Sequence, residues 1–532
     1  MRSRHASPLQ ISLLEDRTTP AVTASLSGSI LNILGSVTTP GDIITIEHQG
    51  AGTFEVSDGA TSVGTFAKVT TVRFTTSGEN DTVLLDLGGG YTGQVVGNLG
   101  TGDNALTINN GTLTGNITVI SGNGNDSLNL DSNIKGVAVF NLGNGDNTFA
   151  HKVGLNITGT LALYGGSGND TIVSNGLTTT SRLVVAFGNG ENTIALENTT
   201  VNGTLGIGGG LGTDSVLLDN VTVAGDTSIQ LVGGSDDTAL IAKSQLLGNL
   251  TTVAVNDLTL GGASSVAKSF LIYGGNTRND VTINGDVTLD VRFSLPMMAG
   301  NLIGNSNINV GANSVIGRDF AVSGTLISQF GTNVLINSGA KINRDFLYTG
   351  TNSDDVVEVS GAVTRNLGVA TRGGNDTVII ADNATALIGR ATFDLGTGDD
   401  FLEFNRDIVG TSLRLSINAG DGSDIVSLGA TASIGGLTNI LLGAGNDTLI
   451  LASDHTGQLT VDGGAGSDTV IFEATATITG MNVNLGAGDD LAIDNGAVFG
   501  GTTKILNGGS GIDTANALGF LTVTKVGIEI FV

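Results

Sequence analysis

A short turn rich in glycine and acid recurs along almost the whole chain, about once every 22 residues. It reads Gly-Asn-Gly-Asn-Asp-Ser-Leu at 122–128, Gly-Ser-Gly-Asn-Asp-Thr-Ile at 166–172 and Gly-Ala-Gly-Asn-Asp-Thr-Leu at 443–449. The last polar residue of each copy falls at Asp81, Asn104, Asp126, Asn147, Asp170, Asn192, Asp214 and Asp237. After an irregular middle it resumes at Asp355, Asp376, Asp400, Asp424, Asp447, Asp468, Asp490 and Asp513, in steps of 21 to 24 residues. A fixed period of this size means stacked units that each bury their apolar face on their neighbours. One short motif thus becomes a row of similar sites.

Between the turns the pattern is that of strands. Asp126 is followed by Ser-Leu-Asn-Leu-Asp, and Val137-Ala138-Val139-Phe140-Asn141-Leu142 leads into the next glycine turn. Some units add a third stretch, such as Val221-Thr222-Val223. No stretch long enough for a helix escapes glycine or carries a 3.6-residue period. Two or three short strands per unit, rich in Val, Ile, Leu and Thr, predict a right-handed parallel β-helix of roughly 20 coils of about 22 residues. Leu128, Leu130, Val139, Ile172, Val216, Leu449 and Ile471 are the expected inward residues. The domain reading is a leader over 1–21, a β-hairpin cap over 22–70, the solenoid over 71–517 and a capping strand over 518–532. The cap rests on Asp42-Ile43-Ile44-Thr45-Ile46 and Thr53-Phe54-Glu55-Val56, with turns at Gly50–Gly52 and Asp58–Gly59. An open solenoid end needs such a cover.

Composition narrows the partners. The 49 acidic residues against 22 basic ones give a net charge of −27, which disfavours nucleic acid and suits cations or simple solubility. Cysteine is absent, so disulfides and thiol chemistry are excluded. No apolar run approaches the length of a membrane span. Glu15, Asp16 and Arg17 interrupt the apolar stretch after Leu9–Leu14, so an ordinary cleavable signal is not evident. The histidines (His5, His48, His151, His455) are scattered and tryptophan is missing, which speaks against a sugar-cleaving groove. His151 and His455 read as exposed turn residues. Where the glycine turn lapses, a basic residue precedes each apolar strand: Lys268, Arg292, Arg318, Arg344, Arg365 and Arg390. An Arg/Asp ion ladder or an anion-binding patch would both fit it, and Arg318 and Arg344 would anchor any acidic polysaccharide.

The turn itself suits a hard cation. Glycines reach φ > 0 and let carbonyls crowd toward one point, where the Asp adds a carboxylate. Calcium wants 6 to 8 such oxygens, more than one coil supplies but within reach of two. Stacked carboxylates about 4.8 Å apart repel by roughly 3.5 kcal/mol at an effective dielectric near 20. The first run dilutes them, since the carboxylate alternates between neighbouring positions: Asn125-Asp126, Asp146-Asn147, Asn169-Asp170, Glu191-Asn192. The candidate metal ligands are Asp81, Asp126, Asp170, Asp214, Asp237, Asp355, Asp376, Asp400, Asp424, Asp447, Asp468, Asp490 and Asp513. The doubly acidic turns at Asp236-Asp237, Asp354-Asp355, Asp399-Asp400 and Asp489-Asp490 are the strongest of them. The alternative is an Asn/Asp ladder that satisfies turn N–H groups with no metal.

Gly-Gly-Ala-Gly-Ser-Asp-Thr-Val-Ile at 463–471 and Gly-Gly-Ser-Gly-Asn-Asp-Thr-Ile-Val at 165–173 resemble the hemolysin-type (RTX) calcium-binding nonapeptide. That resemblance implies a secreted β-roll with calcium between turns. It departs from the family by occurring once per coil instead of in tandem, and by placing Asn at 104, 147 and 192. Leu13-Leu14-Glu15-Asp16-Arg17-Thr18-Thr19-Pro20-Ala21 is similar to an element opening many secreted or surface proteins of planctomycete bacteria, which implies export. The expectation is a non-enzymatic, extracellular or surface-held Ca2+-binding solenoid with a structural or adhesive role. Its partners would be calcium, cell-surface glycans or other surface proteins. A metal-free rod and a β-helix lyase or epimerase are the alternatives.

Overall fold

The computed structural model describes residues 22–36, 41–234, 236–273, 280–284, 288–289, 293–296, 306–323, 330–383, 387–409, 414–516, 520 and 522–531. All regular structure among them is β, in two compact units, 1–143 and 144–532. Together the units hold about 18 solenoid turns about 23 residues apart. The parallel β-helix expected from the period is therefore the fold.

In the first unit each coil carries three strands. Ser127–Leu130 follows the glycine turn, Asn133–Lys135 comes next, and Ala138–Asn141 returns toward the following turn. Each pairs in parallel with its counterpart one coil earlier: Leu128 with Leu106, Ile134 with Leu113, Ala138 with Ile117. Three narrow sheets enclose a core in which alternate residues point inward. The segment expected as a cap is interleaved with these sheets. Ile43–Gly50 pairs in parallel with Thr82–Asp86 and antiparallel with Thr53–Asp58, which pairs in turn with Thr61–Phe66. His48, Phe54 and Tyr91 pack ring to ring beneath it, with centroids 4.9–5.4 Å apart.

The second unit begins with the same three-strand coil, as in Thr171–Asn175, Thr178–Thr179 and Leu183–Ala186. Its cross-section changes near residue 390. The middle sheet ends at Ala362–Val363 and gives way to single bridges, Leu387 to Ile408 and Ile408 to Ile434. From Ala391–Thr397 onward the return strand lengthens through the glycine turn, reaching twelve residues in Asp454–Ala465. The last rungs, Thr524–Val526 and Ile530–Phe531, pair in parallel with Lys504–Ser510 and Thr514–Ala515. The leader over 1–21 and Arg292 lie outside the described residues.

Two inward assignments are corrected. Val139 and Ile471 face outward, while their neighbours Ala138, Phe140, Val470 and Phe472 fill the core. Both sit in continuous apolar runs, where period-2 parity cannot be read without a fixed starting point. The buried turn residue supplies that point. As with Leu128 and Leu130, the second residue after it turns inward in every coil, and among the described residues the fourth does so in all but one, where His151 is half-buried.

Candidate functional site

Every candidate ligand, from Asp81 and Asp126 to Asp490 and Asp513, occupies one kind of place: a corner where the return strand turns into the next coil. Their exposures run from 0 to 2%, so these carboxyl groups are interior, not surface, groups. In most coils a glycine two residues ahead makes the turn possible; Glu79, Ser235 and Ser353 stand there before Asp81, Asp237 and Asp355. Gly168 has φ +126°, and a Cβ there would stand 2.3 Å from the Gly145 carbonyl oxygen of the preceding coil. Its N–H donates to the Asn189 carbonyl of the following coil at 2.7 Å.

The corner residues are joined from coil to coil. The backbone N–H of each donates to the side-chain Oδ1 of the next: Asp81 to Asn104 at 2.9 Å and Asn104 to Asp126 at 2.9 Å in the first unit. In the second unit Asp170 donates to Asn192, Asp214 to Asp237, and Asp237 to Asn256. The unbroken acidic run follows the same rule from Asp355 to Asp376, Asp400, Asp424, Asp447, Asp468, Asp490 and Asp513, at 2.7–3.0 Å. Asp513 closes it by donating to Glu529 Oε2.

The residue just before each rung lies on the outside and forms a second ladder of opposite direction. Asn125 N–H donates back to Asp103 Oδ1, Asn169 to Asp146, Asn375 to Asp354 and Ser423 to Asp399. The alternation of Asn-Asp with Asp-Asn therefore moves the carboxylate between interior and solvent. In the doubly acidic turns one member, such as Asp399 or Asp489, is exposed while its neighbour is buried.

The second δ atom separates Asn rungs from Asp rungs. In Asn rungs it is Nδ2 and donates to the glycine carbonyl of its own turn: Asn104 to Gly102 at 2.8 Å, Asn147 to Gly145 at 3.0 Å. Asn147 and Asn192 also give Nδ2–H to the Oδ1 of Asp170 and Asp214 in the next coil. In Asp rungs the same place is taken by Oδ2, which in the ionised carboxylate can only accept. The Oδ2 atoms of Asp170, Asp214, Asp237, Asp376, Asp400, Asp424, Asp447, Asp468, Asp490 and Asp513 are buried with no hydrogen-bond partner. A glycine five residues back gives Oδ2 its space in several coils: a Cβ on Gly165 or Gly209 would lie 1.9–2.0 Å from it. In the first run small residues (Thr76, Ser121, Gly165, Gly209) accompany Asp, Leu99, Leu142 and Phe187 accompany Asn, and Val232 before Asp237 breaks the pattern.

Burial pushes the carboxyl groups up: Asp376 to about 7, and Asp170, Asp237, Asp400, Asp424, Asp447, Asp468 and Asp490 to about 6. Neighbouring Asn amides oppose the rise at Asp170 and Asp214, whereas neighbouring carboxylates add to it along the acidic run. Among the described residues no three acidic or histidine side chains converge on one point. A cation at this corner would draw on one carboxylate per coil and on turn carbonyls. The orphaned Oδ2 atoms fit that donor set.

Other expectations are settled by their contacts. His455 is corrected from an exposed turn residue to a buried one, 1% exposed, with Nδ1 on Thr438 Oγ1 and Nε2 on Ser453 Oγ. It sits on a strand two residues past a polar corner, and burial pushes it down to about 4, keeping it neutral. His151 is half-buried, with Nε2 on Ser174 Oγ. The basic tract forms ion pairs across coils, Arg344 with Asp319 at 3.2 Å and Arg365 with both oxygens of Asp345. Beside it a shallow cleft of about 670 Å³ opens over Gly368, with Arg390 and Asp394 as its only charged lining residues. Sequence reasoning missed Arg406, the largest fully buried side chain among the described residues, whose Nη2 donates to the Gly361 and Ala381 carbonyls while Nε and Nη1 have no partner. It also missed the Asn256 rung, which falls 19 residues after Asp237 with no glycine turn to announce it.

No protein-family model, curated protein or solved structure matches this chain. No helix among the described residues is long and apolar enough to cross a membrane.

Proposed function

We propose that this chain is a non-catalytic, calcium-binding β-solenoid, exported to the cell surface or beyond, with a structural or adhesive role. The observation that carries this reading is the row of buried Oδ2 atoms with no donor, stacked coil on coil from Asp376 to Asp513. Ionised, these groups repel their neighbours by roughly 3.5 kcal/mol per step at an effective dielectric near 20. Ca2+ accepts carboxylate and carbonyl oxygens in flexible geometry, which is the donor set at this corner. The bound ion would supply positive charge where Asn rungs supply an amide N–H. Partners on the outside would be glycans or other surface proteins that meet the exposed acidic ladder through basic or cation-bridged contacts. A non-catalytic role is supported by the burial of the repeated carboxyl groups and by the pairing of Arg344 and Arg365 with Asp319 and Asp345.

A metal-free rod is the second reading. It is favoured by the ladder itself, since every Oδ1 already accepts a neighbouring N–H with no ion. Thermal unfolding followed by far-UV circular dichroism decides between them, in EGTA, in millimolar Ca2+ and in Mg2+. A calcium-specific rise of the midpoint with concentration supports the first reading. Superimposable curves would leave the ladder as a purely structural device.

A further inference from the structure

The rungs are not equivalent, and their differences say where ions can enter. Between two coils an ion would need acceptor oxygens on both sides. An Asn rung instead turns Nδ2–H toward that space, bonded to its own glycine carbonyl and, from Asn147 and Asn192, to the next carboxylate. Such an interval already holds a donor hydrogen where a cation would sit. Asp355 is closed in another way, because its Oδ2 accepts the Thr351 N–H at 2.8 Å. In the first unit Asp42 and Asp81 are closed likewise by the N–H groups of Ser36 and Ser77. The seven rungs from Asp376 to Asp513 all keep an unpartnered Oδ2, as do the adjacent Asp214 and Asp237.

We infer that calcium enters only between two successive rungs whose Oδ2 atoms are both free: the six intervals from Asp376 to Asp513 and the single interval Asp214–Asp237. The array is divided. Its Asn-containing part is sealed by built-in amide donors and folds without ions, while its acidic part is completed by them. This division rests on the calcium reading above and adds its stoichiometry and location.

The test is hydrogen exchange read by mass spectrometry on the full chain, in EGTA and in Ca2+ at about 100 times its Kd. Linkage predicts that exchange through local opening of a coil slows about 100-fold at an occupied interval, so the comparison uses amides that exchange faster than global unfolding allows. Slowing is expected in the turns ending at Asp400, Asp424, Asp447, Asp468 and Asp490 and at Asp237, with none at Gly168–Asp170 or Gly190–Asn192. Equal slowing at Asp170 and Asp447 would overturn the division while leaving the calcium reading intact. No slowing anywhere would overturn the calcium reading and this inference with it. Two variants sharpen the result. Asn192→Asp joins Asp170, Asp214 and Asp237 into one acidic run and should bring calcium-dependent slowing to the Gly190 turn; an unchanged Gly190 turn in the folded variant would sink the rule. Asp424→Asn, close to isosteric, should lose the effect at Gly422, whose two intervals it closes, while the turn ending at Asp490 keeps it. Retention at Gly422 would refute the proposal even if Asn192→Asp fails to fold.

Discussion

Gly165 offers a direct test of how tightly the buried carboxyl is held. An alanine Cβ there would meet Asp170 Oδ2 at 1.9 Å, its Cγ at 2.5 Å and Phe187 Cδ1 at 3.0 Å. Overpacking of this kind costs about 1–3 kcal/mol. Asp170 cannot move away freely, because its Oδ1 accepts both the N–H and the Nδ2–H of Asn147 at 3.2 and 2.8 Å. Breaking a hydrogen bond to a charged group adds about 1.5–3 kcal/mol. Gly165→Ala should therefore destabilise by about 2.5–6 kcal/mol on these two terms. Gly206→Ala is the control, since the nearest atom to its Cβ is Arg182 Nη2 at 3.7 Å. It should be neutral or slightly stabilising, by up to about 1 kcal/mol through the unfolded chain. Urea unfolding of both variants, with the double variant Gly165→Ala/Asp170→Ser, separates the causes. The shorter side chain should return part of the loss. The reasoning fails if Gly165→Ala unfolds with the same midpoint as Gly206→Ala, or if Asp170→Ser deepens the defect.

Three more outcomes follow from the described geometry. In calcium-free buffer the raised carboxyl values make the native state bind more protons than the unfolded chain between about pH 4 and about 7. Stability is then greatest below that window and is lost as pH climbs through about 6 to 7, so the urea midpoint in EGTA should rise on acidification from 7 to 5; a steady fall would contradict it. Arg406 is a buried cation with two unmatched donors, pushed down to about 10 by burial. Arg406→Met should raise stability by about 1–2 kcal/mol in denaturant titration, and a loss of that size would mean that its bonds to Gly361 and Ala381 outweigh desolvation. Arg365→Met removes a solvent-screened ion pair with Asp345 and should leave the thermal midpoint nearly unchanged; a large drop would contradict this.

The fold was legible because the turn repeats. Period alone places Leu128, Ile172, Val216 and Leu449 inward, and all four are buried. Parity failed at Val139 and Ile471, which stand inside runs of consecutive apolar residues where only the packed coil selects a face. The corner residues were found, but not the side of the backbone on which they lie. Sequence gives adjacent Asp and Asn equal claims, whereas the glycine turn sends one inward and its predecessor out. The difference between an Asn that donates to its own turn and an Asp that cannot is chemical, and so it could be inferred from composition once the corner was known. Arg406 was hidden for the opposite reason. A lone arginine after a strand reads as surface, and only the crossing past Ala381 to Gly361 buries it.

The inner ladder also behaves as a ruler. Rung-to-rung steps in the acidic run vary from 21 to 24 residues, yet each rung still meets the next at 2.7–3.0 Å. Slack in the chain is therefore taken up elsewhere in the coil: Ile408 and Ile434 bridge each other across coils, yet the first lies eight positions after Asp400 and the second ten after Asp424. Length is free at that far bend and fixed at the glycine corner. Foreign loops grafted near Thr431 or Thr475 should be carried without disturbing the stack, whereas one extra residue between Gly445 and Asp447 would put every later coil out of step. Such a molecule can grow by whole coils and vary its outline on one side, with the opposite side holding count.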